Sequence, residues 1–219
     1  MEDIYWGIKS DARGTKRRRV DDDDKATCIV KNNKPTLFHP LIYTISKEVH
    51  FSAGISKETI ELVKIKISKL IEKFYKSHNE EEELKITYVV DSPGGSVSAI
   101  LKFVDFIGQI KKSYPKVVFS SVITGTTASA GTTMCIVADH RYITKNATTM
   151  IHELSSGNQG RYTQMQSYSG HLTDLHKKLM EIYLPKFKGT PEELEELLKN
   201  DTWYTAEQYM AHGFVDEIK

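Results

Sequence analysis

The sequence predicts an α/β protein in which buried strands alternate with helices around one core. Two apolar runs, 84–90 and 117–123, have the length of buried strands. Between and around them, apolar residues recur every three or four positions, as they do on one face of a helix. The repeated order of strand, turn and helix predicts parallel strands whose carboxyl ends carry loops. Functional side chains are therefore expected at those loops.

Composition limits the function classes. The chain has 219 residues, of which 39% are hydrophobic, so one domain with a sizeable core is favoured, although two small domains are not excluded. A net charge of +1 gives no field that would attract nucleic acid or an anionic membrane. Two cysteines make a disulfide framework unexpected and fit a reduced compartment. With no apolar stretch long enough for a span or a signal peptide, we expect a cytoplasmic protein.

The first part of the chain differs from the rest. A basic block, Lys16–Arg19, is followed by the acidic run Asp21–Asp24 and Lys25, so the field of the basic block is cancelled. The run Asp-Asp-Asp-Asp-Lys is also a familiar engineered cleavage site. Tyr5 and Trp6 could anchor a partner or dock on their own domain. We predict that residues 1–35 form a mobile or partner-binding segment and that residues 36–219 form the main domain.

The remaining elements follow from local patterns in chain order. Short strands are expected near residues 41–43 and 49–51, and Ser56 should cap an amphipathic helix that ends near Tyr75. The Pro93-Gly94-Gly95 turn should separate the strand 84–90 from a helix over 97–111. Further along the chain, the patterns predict strands at 141–143 and 148–151, a long helix over 162–183 with a polar, protruding first half, a helix that begins at Thr190-Pro191, and a final helix from Thr205 to a C-cap at Gly213.

The segment 124–140 is the first candidate for chemistry. Ser129 lies between alanines and close to Gly131, at the expected entrance to a buried helix. Small neighbours let a substrate backbone approach, and the first amides of a helix have no partner inside it. The same pattern is also common where helices simply pack closely, so it does not identify a nucleophile by itself.

Three other segments supply groups that a serine nucleophile needs. A serine hydroxyl requires a base, which a histidine provides at neutral pH, and a carboxylate fixes the histidine tautomer. His152 follows an apolar strand, Asp201 comes 201 − 152 = 49 residues later, and the Ser92–Gly95 turn exposes backbone amides. The chain resembles the ClpP-type serine peptidases, because four of that family's motifs occur here in the same order. They are Ser-Pro-Gly-Gly, Ala-Ser-Ala-Gly, Met-Ile-His and the later aspartate.

This resemblance extends over about Ile42–Ile218 and implies a ClpP/crotonase-like fold of repeated strand-strand-helix units with a protruding handle helix. It implies a catalytic triad of Ser129, His152 and Asp201. It also implies an oxyanion hole formed by the backbone amides of Gly95 and Ala130. Members of that family often carry a larger residue directly after the nucleophile, so Ala130 is a departure from the family pattern.

The resemblance further implies a serine endopeptidase that forms an acyl-enzyme without a cofactor or metal. It implies a homo-oligomer of stacked rings, joined through the handle helix, that encloses a chamber for peptides or unfolded proteins. The sequence contains no phosphate-binding loop, so an AAA+ unfoldase partner would be a separate chain. Nucleic acid and membrane are not expected partners.

Three alternatives stay open at this stage. Peptidases that resemble signal peptide peptidase A share the Ser-Pro-Gly-Gly-Ser-Val motif but use a lysine base, for which Lys177 or Lys178 would be needed. A crotonase-like acyl-CoA enzyme is suggested by the run Ala138–Tyr142, and Ser129 would then be structural. A catalytically silent subunit that assembles with active copies is the third.

Overall fold

A computed structural model describes the backbone of residues 5–7, 27–31 and 34–219, and side chains from residue 39 onward. The expected mobile or partner-binding segment, residues 1–35, lies largely outside these residues, so that expectation stays a prediction. Within the described part, the predicted helices and strands have bounds that agree closely with the sequence patterns.

The elements are introduced here in chain order. The strands are β1 (Tyr5–Gly7), β2 (Thr27–Lys31), β3 (Lys34–Phe38), β4 (Ile42–Ile45), β5 (Glu48–Phe51), β6 (Leu84–Val90), β7 (Gly94–Ser96), β8 (Val117–Ile123), β9 (Thr126–Ala128), β10 (His140–Ile143), β11 (Thr148–Ile151), β12 (Thr202–Thr205) and β13 (Glu217–Ile218). The helices are α1 (Lys57–Tyr75), α2 (Val97–Ser113), α3 (Ala130–Ile136), α4 (Tyr162–Tyr183), α5 (Pro191–Leu198) and α6 (Ala206–Ala211), with a 3₁₀ turn at Leu184–Lys186.

The larger sheet has six strands in the order β13-β10-β8-β6-β5-β4. All neighbouring pairs are parallel except β4 and β5, which form an antiparallel hairpin at one edge. Fully buried positions alternate with partly buried ones along β8 and, apart from the exposed Lys85, along β6, because both faces of a parallel sheet are covered. The sequence order of alternating strands and helices predicted a parallel sheet, and the structure confirms it.

A second sheet of three strands, in the order β12-β11-β9, was not predicted. Strand β11 pairs parallel with β9 and antiparallel with β12. Helix α3 is buried along its whole length and contacts strands of both sheets, so it lies between them. This buried helix begins at the residue that follows Ser129.

Local sequence explains how the helices begin. The Ser56 side chain accepts a hydrogen bond from Thr59 N (3.2 Å), and the Thr59 hydroxyl accepts one from Ser56 N (2.9 Å), so a capping box starts α1. Thr190 caps α5 in the same way, with Pro191 as its first residue. Each cap fixes the residue at which its helix begins.

Helix α4 is exposed over its first half. Its buried residues, Leu175, Leu179 and Tyr183, all lie in the second half, whereas Tyr162 is 73% exposed and Met165 is 49% exposed. The polar first half thus protrudes from this chain, as its composition predicted. Among the described residues, no helix has the length and apolar character needed to cross a membrane.

Candidate functional site

The three-stranded sheet brings the sequence-predicted groups together. Ser129 directly follows β9, His152 directly follows β11, and Asp201 directly precedes β12. Because β9 and β11 are parallel, their carboxyl ends lie at the same end of the sheet. Strand β12 is antiparallel to β11, so its first residue lies at that end too. The pairing register therefore collects residues that are far apart in sequence.

The backbone of Ser129 has a conformation that is rare outside glycine. Its φ is 57° and its ψ is −126°, as at the first central position of a type II′ turn. Such a conformation costs on the order of 1–3 kcal/mol and persists only where the surroundings hold it. Here Ser129 N donates to Met150 O (2.8 Å), and Ser129 O accepts from Thr132 N (2.9 Å). The turn presents the Ser129 side chain at the edge of the sheet, as a nucleophile requires.

Small neighbours let this turn pack against the Ser92–Gly95 segment. Ala128 N donates to Ser92 O (2.8 Å), and a Cβ atom added to Gly131 would lie 3.0 Å from the same oxygen and 3.1 Å from Thr127 Cγ2. A larger side chain at position 131 would push the two segments apart. The Ala-Ser-Ala-Gly motif is therefore needed for this close approach.

The side chains of Ser129, His152 and Asp201 form a continuous line. His152 Nε2 lies 3.0 Å from Ser129 Oγ, and His152 Nδ1 lies 3.3 Å from Asp201 Oδ1. A carboxylate can only accept a hydrogen bond, so we assign the ring proton of neutral His152 to Nδ1. Nε2 is then free of a proton and accepts from the serine hydroxyl.

Burial differs greatly along this line. Ser129 is fully buried and His152 is 6% exposed, but the Asp201 side chain is 76% exposed. Burial lowers the pKa of His152 below its ordinary value, and the negative charges of Asp201 and Glu153 oppose this shift only in part. The imidazole is consequently neutral near pH 7, the state in which it can take a proton.

The amides of Gly95 and Ala130 belong to neighbouring segments. Ile55 N donates to Gly94 O and Ser96 N donates to Ile55 O, both at 2.8 Å, so this edge of β7 is occupied. Along an extended strand successive residues point their polar groups to opposite edges, so Gly95 N–H faces the other edge, where β1 pairs antiparallel. Ala130 is the first residue of α3, where an amide has no acceptor within the helix.

Other candidate residues lie elsewhere. Lys177 and Lys178 are both exposed on α4, whereas Ser129 is buried against His152. Asp91 accepts a hydrogen bond from Thr126 N (3.1 Å), so it supports the start of β9. No group of three His, Cys, Asp or Glu side chains suited to a metal ion occurs within the described residues.

Sequence analysis missed a set of buried hydroxyl groups beneath Ser129. Thr132 and Thr133 of α3 contact the hydroxyl of Tyr183, the last residue of α4. The signal available in the sequence was a pair of threonines inside a helix that is otherwise buried and apolar. Their partner could not be identified, because Tyr183 is distant in the chain.

Comparison with known proteins gives a consistent family. The family described as Clp protease matches residues 55–219. The chain is 31% identical over 137 residues to the ATP-dependent Clp protease proteolytic subunit 1 of Chlamydia abortus. Over 133 residues it is 33% and 34% identical to the ATP-dependent Clp protease proteolytic subunits of Streptococcus suis and Streptococcus gordonii. These alignments cover 61%, 59% and 59% of this chain and 69%, 65% and 65% of the relatives, so about a third of each relative is unmatched.

Proposed function

The chain belongs to the Clp protease family of serine-type peptidases, and on that premise we propose that it cuts peptide bonds through an acyl-enzyme on Ser129. The observation that carries the proposal is the 3.0 Å contact between Ser129 Oγ and His152 Nε2. A neutral imidazole at this distance can accept the hydroxyl proton as the oxygen attacks.

In the first half of the proposed reaction, Ser129 Oγ bonds to the scissile carbonyl carbon while its proton moves to His152 Nε2. The carbonyl oxygen becomes an oxyanion, and the C–N bond then breaks as the imidazolium gives its proton to the leaving amine. In the second half, water attacks the ester and passes a proton to His152, which returns it to the serine oxygen. Asp201 keeps Nδ1 protonated and stabilises the imidazolium.

We assign stabilisation of the oxyanion to the amides of Gly95 and Ala130. Fixed N–H groups near a developing charge lower the barrier without reorganisation. The edge of β7 that carries the Gly95 amide already accepts an antiparallel strand, β1, in this chain. An extended peptide substrate would take the place of β1 and bind in the same manner, through main-chain hydrogen bonds to this strand edge.

The competing functions have less support. A serine-lysine dyad needs a lysine amine near Ser129, but Lys177 and Lys178 are exposed on α4. The group within hydrogen-bond distance of Ser129 Oγ is the His152 ring. A crotonase-like acyl-CoA enzyme would not require a base within hydrogen-bond reach of Ser129. A silent subunit would not need the buried, oriented histidine.

We also propose that copies of this chain assemble into stacked rings around an internal chamber and work with a separate ATPase. The relatives are named proteolytic subunits of ATP-dependent proteases, which supports both parts. The exposed first half of α4 supports an interface, since ordering it costs entropy that contacts with another copy would offset. Native mass measurement tests the assembly.

The test of the peptidase is Ser129→Ala. We expect the variant to lose hydrolysis of a short fluorogenic peptide and covalent labelling by a fluorophosphonate, measured by intact mass, while its unfolding temperature stays close to that of the wild type. Ser113→Ala makes the same chemical change at the exposed end of α2, and this variant should keep both peptide hydrolysis and fluorophosphonate labelling. Undiminished hydrolysis by Ser129→Ala would end the proposal.

A further inference from the structure

A row of four buried oxygen atoms runs from the end of α4 to the nucleophile. Thr133 Oγ1 lies 3.0 Å from the Tyr183 hydroxyl oxygen, which lies 2.6 Å from Thr132 Oγ1. Thr132 Oγ1 in turn lies 2.6 Å from the carbonyl oxygen of Ser129. All three side chains are fully buried, so water does not compete for these contacts.

The direction of every proton in this row follows from its last member. The Ser129 carbonyl can only accept, so the single proton of Thr132 must lie between those two oxygens. Thr132 therefore accepts from Tyr183, and Tyr183, having given its only proton, accepts from Thr133. Burial raises the pKa of Tyr183, although its bonds to the two threonines oppose the shift, so the phenol keeps the proton that it donates.

The carbonyl at the end of this row belongs to the same peptide unit as the proposed oxyanion donor. The peptide between Ser129 and Ala130 is planar and trans, so Ala130 N–H points opposite to Ser129 C=O. Any group that fixes the carbonyl direction also fixes the amide direction. Hydrogen bonds to the carbonyl also polarise the peptide, which strengthens its N–H as a donor.

We propose that Tyr183 is a positioning residue, which acts through Thr132 to orient the Ser129–Ala130 peptide and with it the oxyanion-hole amide of Ala130. This inference rests on the proposed peptidase function. The need for such support comes from the backbone of Ser129, whose φ of 57° is held by its surroundings. The row also links the C-terminal end of α4 to the proposed nucleophile, because Tyr183 is the last residue of that helix.

The decisive variant is Tyr183→Phe, which removes one oxygen and keeps the ring that packs edge-on against Phe214. Oxyanion contacts strengthen mainly in the transition state, so we expect kcat to fall about five- to twentyfold with little change in KM. Affinity for a peptide boronate, which mimics the tetrahedral intermediate, should fall by the same factor. A purely structural role for the hydroxyl would not produce this match.

Four further variants keep the test clear. Tyr88→Phe makes the same change at another fully buried tyrosine, whose hydroxyl has no hydrogen-bond partner, and should leave kcat unchanged. Thr132→Val removes the hydroxyl bond to Ser129 O while the bond from the backbone N–H of residue 132 stays, and it should lower kcat at least as far as Tyr183→Phe. Thr132→Ser keeps the hydroxyl and should react faster than Thr132→Val. The double variant Tyr183→Phe/Thr132→Val should be no slower than Thr132→Val alone, because both changes interrupt one row.

The outcomes separate this inference from the function on which it rests. If the wild type reacts with fluorophosphonate and cuts the peptide, but Tyr183→Phe has the same kcat and boronate affinity as Tyr88→Phe, the positioning role is wrong and the peptidase stands. Equal losses in kcat and in ground-state peptide affinity would also overturn the role. If the wild type itself neither reacts nor cuts, the proposed function fails, and the positioning role fails with it.

Discussion

The exposure of Asp201 leads to a specific prediction about the acid of the proposed triad. When a triad carboxylate is buried, replacing it by the amide costs about 10⁴-fold in kcat. Here the Asp201 side chain is 76% exposed, although its Oδ1 lies 3.3 Å from His152 Nδ1. At an exposed position the amide can turn its oxygen toward Nδ1 and so keep the histidine tautomer. Water around the carboxylate also weakens its attraction to the imidazolium that forms during the reaction, so Asp201→Asn should cost far less.

The expected loss follows from the charge separation. Two unit charges 4 Å apart attract by about 1 kcal/mol in bulk water and about 4 kcal/mol at an effective dielectric constant of 20. For a mostly hydrated carboxylate we take the lower part of this range, about 1–2.5 kcal/mol. This corresponds to a fall in kcat/KM of roughly 5- to 70-fold.

The assay is steady-state hydrolysis of a short peptide by the wild type, Asp201→Asn and the control Asp105→Asn, which changes an exposed aspartate of α2. Salt screens exposed charges, so raising the ionic strength should lower the wild-type rate and narrow its advantage over Asp201→Asn. A salt-independent loss of 10⁴-fold would refute the reasoning and would mean that Asp201 is shielded from water in the working assembly.

Three other predictions concern the pKa of His152, the exposed half of α4 and the ion pair between Arg141 and Asp216. Glu153→Gln removes a negative charge that raises the pKa of His152, so the acidic limb of kcat/KM should move to lower pH, as a pH profile would reveal; a limb that stays or moves upward contradicts this. Deleting residues 164–170 should lower both native oligomer mass and peptide hydrolysis, and unchanged light scattering and labelling would exclude α4 as the interface. Arg141→Met should lower the free energy of unfolding in urea by about 2–3 kcal/mol, since it removes bonds to Asp216 and to Gly213 O. Burial disfavours the charged form of Asp216, but Arg141 outweighs it and holds the pKa of Asp216 below its ordinary value. As the pH falls through that lowered pKa, the wild-type advantage should therefore shrink to the part that comes from the bond to Gly213 O.

Sequence patterns predicted the large sheet and the helices because those signals are local. The capping box at Ser56 and the proline at position 191 each depend on neighbouring residues, and α4 spans 162–183 as expected. The three-stranded sheet was missed because β9 has only three residues, too few to show a period, and because the pairing of β12 with β11 leaves no local signal. Their pairing with β11 joins distant parts of the chain.

The candidate site was predicted only partly. The identities of Ser129, His152 and Asp201 came from the family resemblance, and the structure brings their side chains within 3.0 and 3.3 Å. The exposure of Asp201 could not be predicted, since it depends on how the loop before β12 lies on the surface. The contact between Tyr183 and Thr132 joins residues of two helices, and no sequence period reports such a contact.

The order of β9, β11 and β12 along the chain also has a consequence for synthesis on the ribosome. The serine and histidine strands emerge early, but Thr205, which ends the strand after Asp201, follows His152 by 205 − 152 = 53 residues. At about 5–20 residues per second, that interval is roughly 3–10 s. During this interval the nascent chain already contains Ser129 and His152, the proposed nucleophile and base, but not yet Asp201, the proposed acid. Tyr183, at the end of α4, is also missing for part of this time. Translation itself therefore sets a minimum time before the proposed triad and its support can come together.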